Sequence, residues 1–216
     1  MGVAIDHIFI CTSRGAPAAD RLHALGLTEG SPNVHPGQGT ACRRFFLENA
    51  MLELLWVADE AEAKANPDLR LWDRWSRQQA SPFGLILRPD SEEPANCPFE
   101  AWEYRPITMP ELSLKIALET ALDEPMWCYM ASGRKPTDAA PERRQPLDHS
   151  LGVRELTGVE IGTAALPAGS VTACMARAGL IVWCEAAEPI LTLEFDGVKR
   201  RQSADLRPHL PLAIRW

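Results

Sequence analysis

The sequence lacks the signatures of the commonest enzyme chemistries. It has no G-x-S-x-G elbow, no P-loop and no glycine-rich dinucleotide fingerprint, which removes the usual hydrolase and nucleotide-binding readings. It also lacks a surplus of positive charge. Against 29 Asp and Glu there are 22 Lys and Arg, a formal net charge of -7. An acidic chain of this kind is not expected to take nucleic acid or an anionic membrane as its main partner. No apolar run approaches the roughly 18 residues of a membrane span. The stretch leading to Asp6 lacks the basic patch and long apolar core of a secretory signal. Six cysteines, at 11, 42, 97, 128, 174 and 184, include no CxxC pair. Dispersed thiols in apolar runs read as buried groups in a reducing compartment, so a cytoplasmic protein is the expectation.

What is present is ordinary globular material: 216 residues, 46% hydrophobic and 24% charged, enough for one large domain or two small ones. Its organising stretch runs from Ile5 to Val57. IDHIFICT opens it as a strand over 4–12. A segment from Gly15 places Ala18, Leu22 and Leu25 at helical spacing, with Gly26 as C-cap. NVHPGQGT (33–40) is too heavily punctuated by Gly and Pro for regular structure. ACRRFFLE and MLELLWV then read as a hairpin across Asn49-Ala50. Strand period two puts His7 on the face of Ile5 and Phe9, and Glu53 on that of Met51 and Leu55. A carboxylate on such an apolar face must be paired, protonated or metal-bound. Arg43 or Arg44 on the adjacent strand is the alternative partner for Glu53, and a neutral core histidine is the alternative for His7.

The rest of the chain divides less cleanly. Residues 58–79 read as one or two surface helices and 83–87 as a strand. After the loop 90–98, three further extended segments follow, near 99–105, 112–118 and 125–131. Residues 132–149 form a long polar loop whose length suggests work to do, with His149 at a surface or interface. From Leu156 the opening pattern returns: LTGVEIGTA, a helix over 168–178, then LIVWCEA, ILTLEF and LPLAIRW. This reads as a degenerate copy of the first sixty residues. It divides the chain into 1–98, 99–155 and 156–216 within one compact unit. Glu160 then falls where His7 does, and Glu194 where Glu53 does.

IDHIF at the start, HPGQGT in the middle and MLELLWV at the end resemble the glyoxalase-like branch of the vicinal oxygen chelate (glyoxalase, bleomycin resistance, dioxygenase) superfamily. WEYRP and RRQPLDH are similar to an uncharacterised glyoxalase-like subgroup. The resemblance implies an α+β fold in which paired βαβββ modules make curved, mostly antiparallel sheets around a cavity. It implies a divalent metal held by His7 and Glu53 from one half and by Glu160 and Glu194 from the other. An alternative register takes Phe83 to Ala131 as the second module. That register puts Gly84 or Leu85 where a ligand is expected.

One imidazole with three carboxylates suits Mn, Fe or Ni ahead of a structural Zn site. Glu53 or Glu194 would double as catalytic base if displaced from the ion. His35, in a loop where Gly37 and Gly39 allow close backbone approach, and the aromatics Trp102, Tyr104 and Trp127 are the candidates to bind a small organic substrate; shaping the loop is the histidine's other role and filling a core the aromatics'. The leading reading is a metal-dependent enzyme of glyoxalase or dioxygenase type. A metal-free binding protein using the same cavity is the alternative, and a structural homodimer comes third.

Overall fold

A computed structural model describes residues 2–91, 95–118 and 120–216. The chain opens with strand β1 (Val3–Cys11), helix α1 (Ala19–Leu25), strands β2 (Asn33–His35), β3 (Thr40–Phe46) and β4 (Met51–Val57), then short helices α2 (Glu60–Lys64) and α3 (Leu71–Ser76). Strands β5 (Phe83–Pro89), β6 (Ala101–Tyr104), β7 (Leu114–Ala117) and β8 (Met126–Tyr129) follow. The last part comprises β9 (Leu156–Thr163), α4 (Val171–Arg177), β10 (Val182–Glu185), β11 (Ile190–Phe195), β12 (Ser203–Asp205) and β13 (Leu212–Arg215). None of the described helices is long and apolar enough to cross a membrane.

The architecture is α+β with repeated βαβββ-like units, as expected, in two mixed sheets. The larger has the order β2-β3-β4-β1-β5-β8-β7-β6. In each half the first strand runs parallel to the fourth, β1 to β4 and β5 to β8, and β1 meets β5 antiparallel at the centre. The first unit therefore finds its sheet partner in 83–129, the alternative register. Residues 156–216 build a separate five-stranded sheet, β10-β9-β11-β13-β12. Residues 156–216 repeat the helix and strand patterning of the first unit without pairing with it. Backbone pairing, to which hydrophobic periodicity is blind, decided for 83–129.

One core lies behind the larger sheet. Ile8, Ile10, Leu52, Leu54, Leu85 and Leu87 share it with Ile161, Leu193 and Ile214 of the smaller sheet and with Leu22 of α1 and Met175 of α4. Trp127 belongs to this core. It is fully buried, and its indole Nε1–H donates to Thr172 Oγ1 at 2.9 Å. Gly26 closes α1 at φ 105°, a left-handed conformation that only glycine adopts without strain, while the backbone nitrogen of Leu151 presses so close that a Cβ would meet it at 2.7 Å.

The opposite face of the larger sheet is concave and holds a second apolar cluster containing Phe9, Leu55, Ile86, Ile116 and Met126. Leu69, in the turn before α3, and Leu71, its first residue, belong to the same cluster. Two local expectations change here. Residues 33–35 are a strand, since the Gly/Pro-rich segment is the turn of a hairpin closed by Thr40. His149 is buried rather than superficial: it accepts from the Thr28 amide at Nδ1 (3.0 Å), and Nε2 bonds Phe46 O (2.9 Å), pinning the end of the long loop.

Candidate metal and substrate site

The concave face encloses a cavity of about 290 Å³. Period-two geometry selects what looks into it: His35 from β2, Arg44 from β3, Glu53 from β4, and His7 and Phe9 from β1, while Cys42, two residues before Arg44 on β3, is fully buried beside Glu53. The pairings His35↔Thr40, Asn33↔Cys42, Cys42↔Leu55 and Arg44↔Glu53 make His35, Cys42 and Glu53 diagonal neighbours on three adjacent strands. One ligand atom from each of the three lies within 4.8 Å of the others.

Glu53 is 6% exposed, and among the described residues its one hydrogen-bond partner is the Cys42 thiol at 3.5 Å. Neither arginine considered from the sequence pairs with it. Arg43 points to the other side of β3 and holds Glu29 at 2.7 and 2.6 Å and Asp20 at 3.1 Å. Arg44, opposite Glu53 in register and on the cavity wall, makes its hydrogen bonds elsewhere; its Nε donates to Ser31 O at 2.8 Å, and its guanidinium lies 5.1 Å from the Phe46 ring centre. A buried carboxylate with so little compensation invites a cation.

The electrostatics agree with that fit. Burial pushes the Cys42 thiol well above the usual range, and the neighbouring charge of Glu53 pushes it further. Burial also lowers His35, against the pull of Glu53, and keeps it a neutral imidazole. Its ring nitrogens are met by Asn33 Nδ2 and Thr40 Oγ1, each at 3.0 Å, so an ion would replace one of these bonds. Neutral imidazole, thiolate and carboxylate carry two negative charges, which a divalent ion cancels. Three protein donors, of which His35 and Glu53 line the cavity, leave a position for a further ligand, as catalytic metal sites do.

His7 lies on the same face but outside this trio. Pairing of β1 with β5 shifts register between Ile5 and His7, so Asp6 and His7 both line the cavity while Ile5 turns to the rear core. His7 Nδ1 bonds Asp6 Oδ1 at 2.7 Å. Burial alone would lower the pKa of His7; the Asp6 hydrogen bond and the charges of Glu53 and Asp6 outweigh it and raise the value.

Glu160 and Glu194 do not reach this site. They share Arg215 Nη1, at 3.4 and 3.2 Å, on the smaller sheet. The alternation that sends Ile161, Leu193 and Ile214 into the core sends these carboxylates to the far side. Their place opposite His7 is taken by Gly84, Ile86 and Cys128 of β5 and β8. A Cβ on Gly84 would meet the Phe9 ring at 2.1 Å, so the space of a second ligand is filled by an aromatic ring.

Of the aromatic candidates, Tyr104 lines the cavity. Trp102 stacks edge-on against it at 6.1 Å but outside the lining, and Trp127 faces the rear core. Cys42 escaped sequence reasoning, and Arg44 entered it only as a salt-bridge partner for Glu53. Their signal was available: both alternate in phase with Glu53 once the hairpin register is known.

A glyoxalase-like domain model matches residues 5–173. The chain belongs to the glyoxalase-like domain family. That match covers the larger sheet of this glyoxalase-like protein except for the first two residues of β1. No curated protein matches the sequence. Among solved structures, a hypothetical protein from Staphylococcus aureus is similar with a TM-score of 0.58 at 10% identity, covering 99% of each chain, a likeness of fold alone. A methylmalonyl-CoA epimerase from Mycobacterium tuberculosis has a TM-score of 0.39 at 13% identity over 63% of this chain and 92% of that one, too low to bear on function.

Proposed function

We propose that this glyoxalase-like protein is a metal-dependent enzyme acting on a small organic molecule, with its ion on His35, Cys42 and Glu53. The observation that carries the reading is Glu53: a carboxylate 6% exposed, on a cavity wall, bonded to nothing but a thiol. A thiolate in the set shifts the expected metal toward Zn, Fe, Co or Ni and away from Mn. When bound, a divalent ion there supplies Lewis acidity to a substrate oxygen.

The chain's own groups define what else the site does. Asp6 takes the Nδ1 hydrogen of neutral His7, which leaves the Nε2 lone pair to accept a proton within the cavity. Phe9, Met51 and Leu55 exclude water around it. Glu53 is both ligand and, on release from the ion, a second base.

Loading the protein with Co(II) tests the reading. A thiolate-to-cobalt charge-transfer band should appear and be absent from Cys42→Ser. No band and no metal retained by the parent would refute it. One observation favours the metal-free alternative, a small-molecule binding protein: of the six methionines, Met51, Met109, Met126 and Met130 line the cavity, a soft surface suited to holding apolar ligands.

A further inference from the structure

We infer that the cavity takes a small amphipathic carboxylic acid, with its carboxylate on Arg44 and its hydrocarbon body among the methionines. For its charge balance this inference rests on the metal reading above. Arg44 lines the cavity, and among the described residues no carboxylate lies within ion-pair distance of it. Its recorded hydrogen bonds run to two carbonyls, Nε to Ser31 O at 2.8 Å and Nη2 to Pro32 O at 3.5 Å. These bonds and the Phe46 ring fix the plane of the guanidinium. Nη1 and the second Nη2 hydrogen remain as an open fork, the geometry that matches a carboxylate.

The charges in and around the cavity can be counted. Thiolate and Glu53 cancel a divalent ion. Asp6 is offset by Arg88, whose Nε lies 3.9 Å from Asp6 Oδ2. What remains is the single positive charge of Arg44, which one carboxylate neutralises. Without the ion its positive charge is gone, and the buried carboxylate of Glu53 faces the ligand with only a thiol beside it. An anionic ligand should therefore depend on the metal as well as on Arg44.

Size and lining define the rest of the molecule. At about 290 Å³ the cavity has room for roughly ten groups of water size, each about 30 Å³. An eight-carbon acid has that many non-hydrogen atoms. Phe9, Met51, Leu55, Ile86, Met126 and Met130 offer its chain no hydrogen-bonding group beyond weak thioether sulfurs. Unbranched methionines adapt to a chain of variable shape better than a rigid aromatic slot would. The loop after β6 lies across the mouth: a Cβ on Gly37, in the β2–β3 turn, would sit 3.1 Å from Ile107. The two ends of the curved sheet thus meet over the cavity and limit its length.

The test is calorimetric titration of Co(II)-loaded and chelator-treated protein with octanoate, octyl phosphate, 1-octanol, butyrate and hexadecanoate. Octanoate should bind the loaded protein at least about tenfold more tightly than the chelated protein, and more tightly than octanol or either other acid. Arg44→Gln should weaken octanoate about tenfold or more while leaving octanol binding and the cobalt band unchanged. Arg44→Met, which keeps an apolar stem over Phe46, should do the same and guards against a folding defect in the first variant. A cobalt band with no octanoate binding, or octanoate binding that survives both substitutions, overturns this inference and leaves the metal reading intact. Tighter binding of octyl phosphate overturns the choice of carboxylate. Absence of the cobalt band with Arg44-dependent octanoate binding overturns the metal reading, and with it the metal dependence inferred here, and supports the carboxylate on Arg44 alone.

Discussion

Replacing Glu53 by glutamine should stabilise the metal-free protein and destabilise the metal-loaded one. In the absence of an ion, the Glu53 carboxylate has one weak thiol partner and is 6% exposed. Removing an under-compensated buried charge while keeping its shape is worth about 1–3 kcal/mol. Glu53 faces a cavity rather than packed core, so the low end, about 1–2 kcal/mol, applies. For a chain of this length each kcal/mol moves Tm by about 2–4 °C, which predicts a rise of roughly 2–8 °C in chelator. With metal the sign reverses. An ion at a hundred times its Kd contributes about 2.7 kcal/mol to the parent, and a neutral amide forfeits most of that. Differential scanning calorimetry of both proteins, with EDTA and with Zn(II) or Co(II), should therefore show the two Tm orders crossing. A Glu53→Gln protein that melts below the parent in EDTA would show that the carboxylate is already satisfied, and the case for a cation would fall.

Other consequences follow from the same geometry. Changing Glu160 and Glu194 together to glutamine should cost less than about 1 kcal/mol for each half-exposed contact with Arg215 and leave any metal-induced Tm shift untouched; loss of that shift would return these residues to the site. Gly84→Ala should lower Tm by an amount corresponding to about 1–3 kcal/mol, because the new methyl group meets the Phe9 ring, and an unchanged melt would show that the ring moves freely. Burial holds His149 below its ordinary pKa. Because the unfolded chain then binds the extra proton, the stability of this group is whole above about pH 6.5 and is lost as pH falls through that value toward the lower folded one. The parent minus His149→Gln difference in Tm should shrink between pH 7.5 and 5; a difference that grows on acidification would refute the sign.

The sequence by itself determined the composition of the fold and half of the site. Alternation in IDHIFICT and MLELLWV was enough to make β1 and β4 strands, and it placed Glu53 with Met51 and Leu55 on one face, which becomes the cavity wall. Gly26 ended α1 where its left-handed φ was expected. These are local properties, set by sterics and by burial of one face of a strand or helix. Only the tertiary structure decided which strands are neighbours. Pairing of β1 with β5 brought 83–129 beside the first unit and sent Glu160 and Glu194 to another sheet, although their strands have the same period. One register shift at Asp6 turned Asp6 and His7 into the same cavity, which strict alternation forbids. Hairpin register, fixed by a turn from Pro36 to Gly39, made His35 and Cys42 neighbours of Glu53. Such contacts depend on a hydrogen-bonding partner that lies tens of residues away, and a period read along one strand contains no information about which strand that partner belongs to.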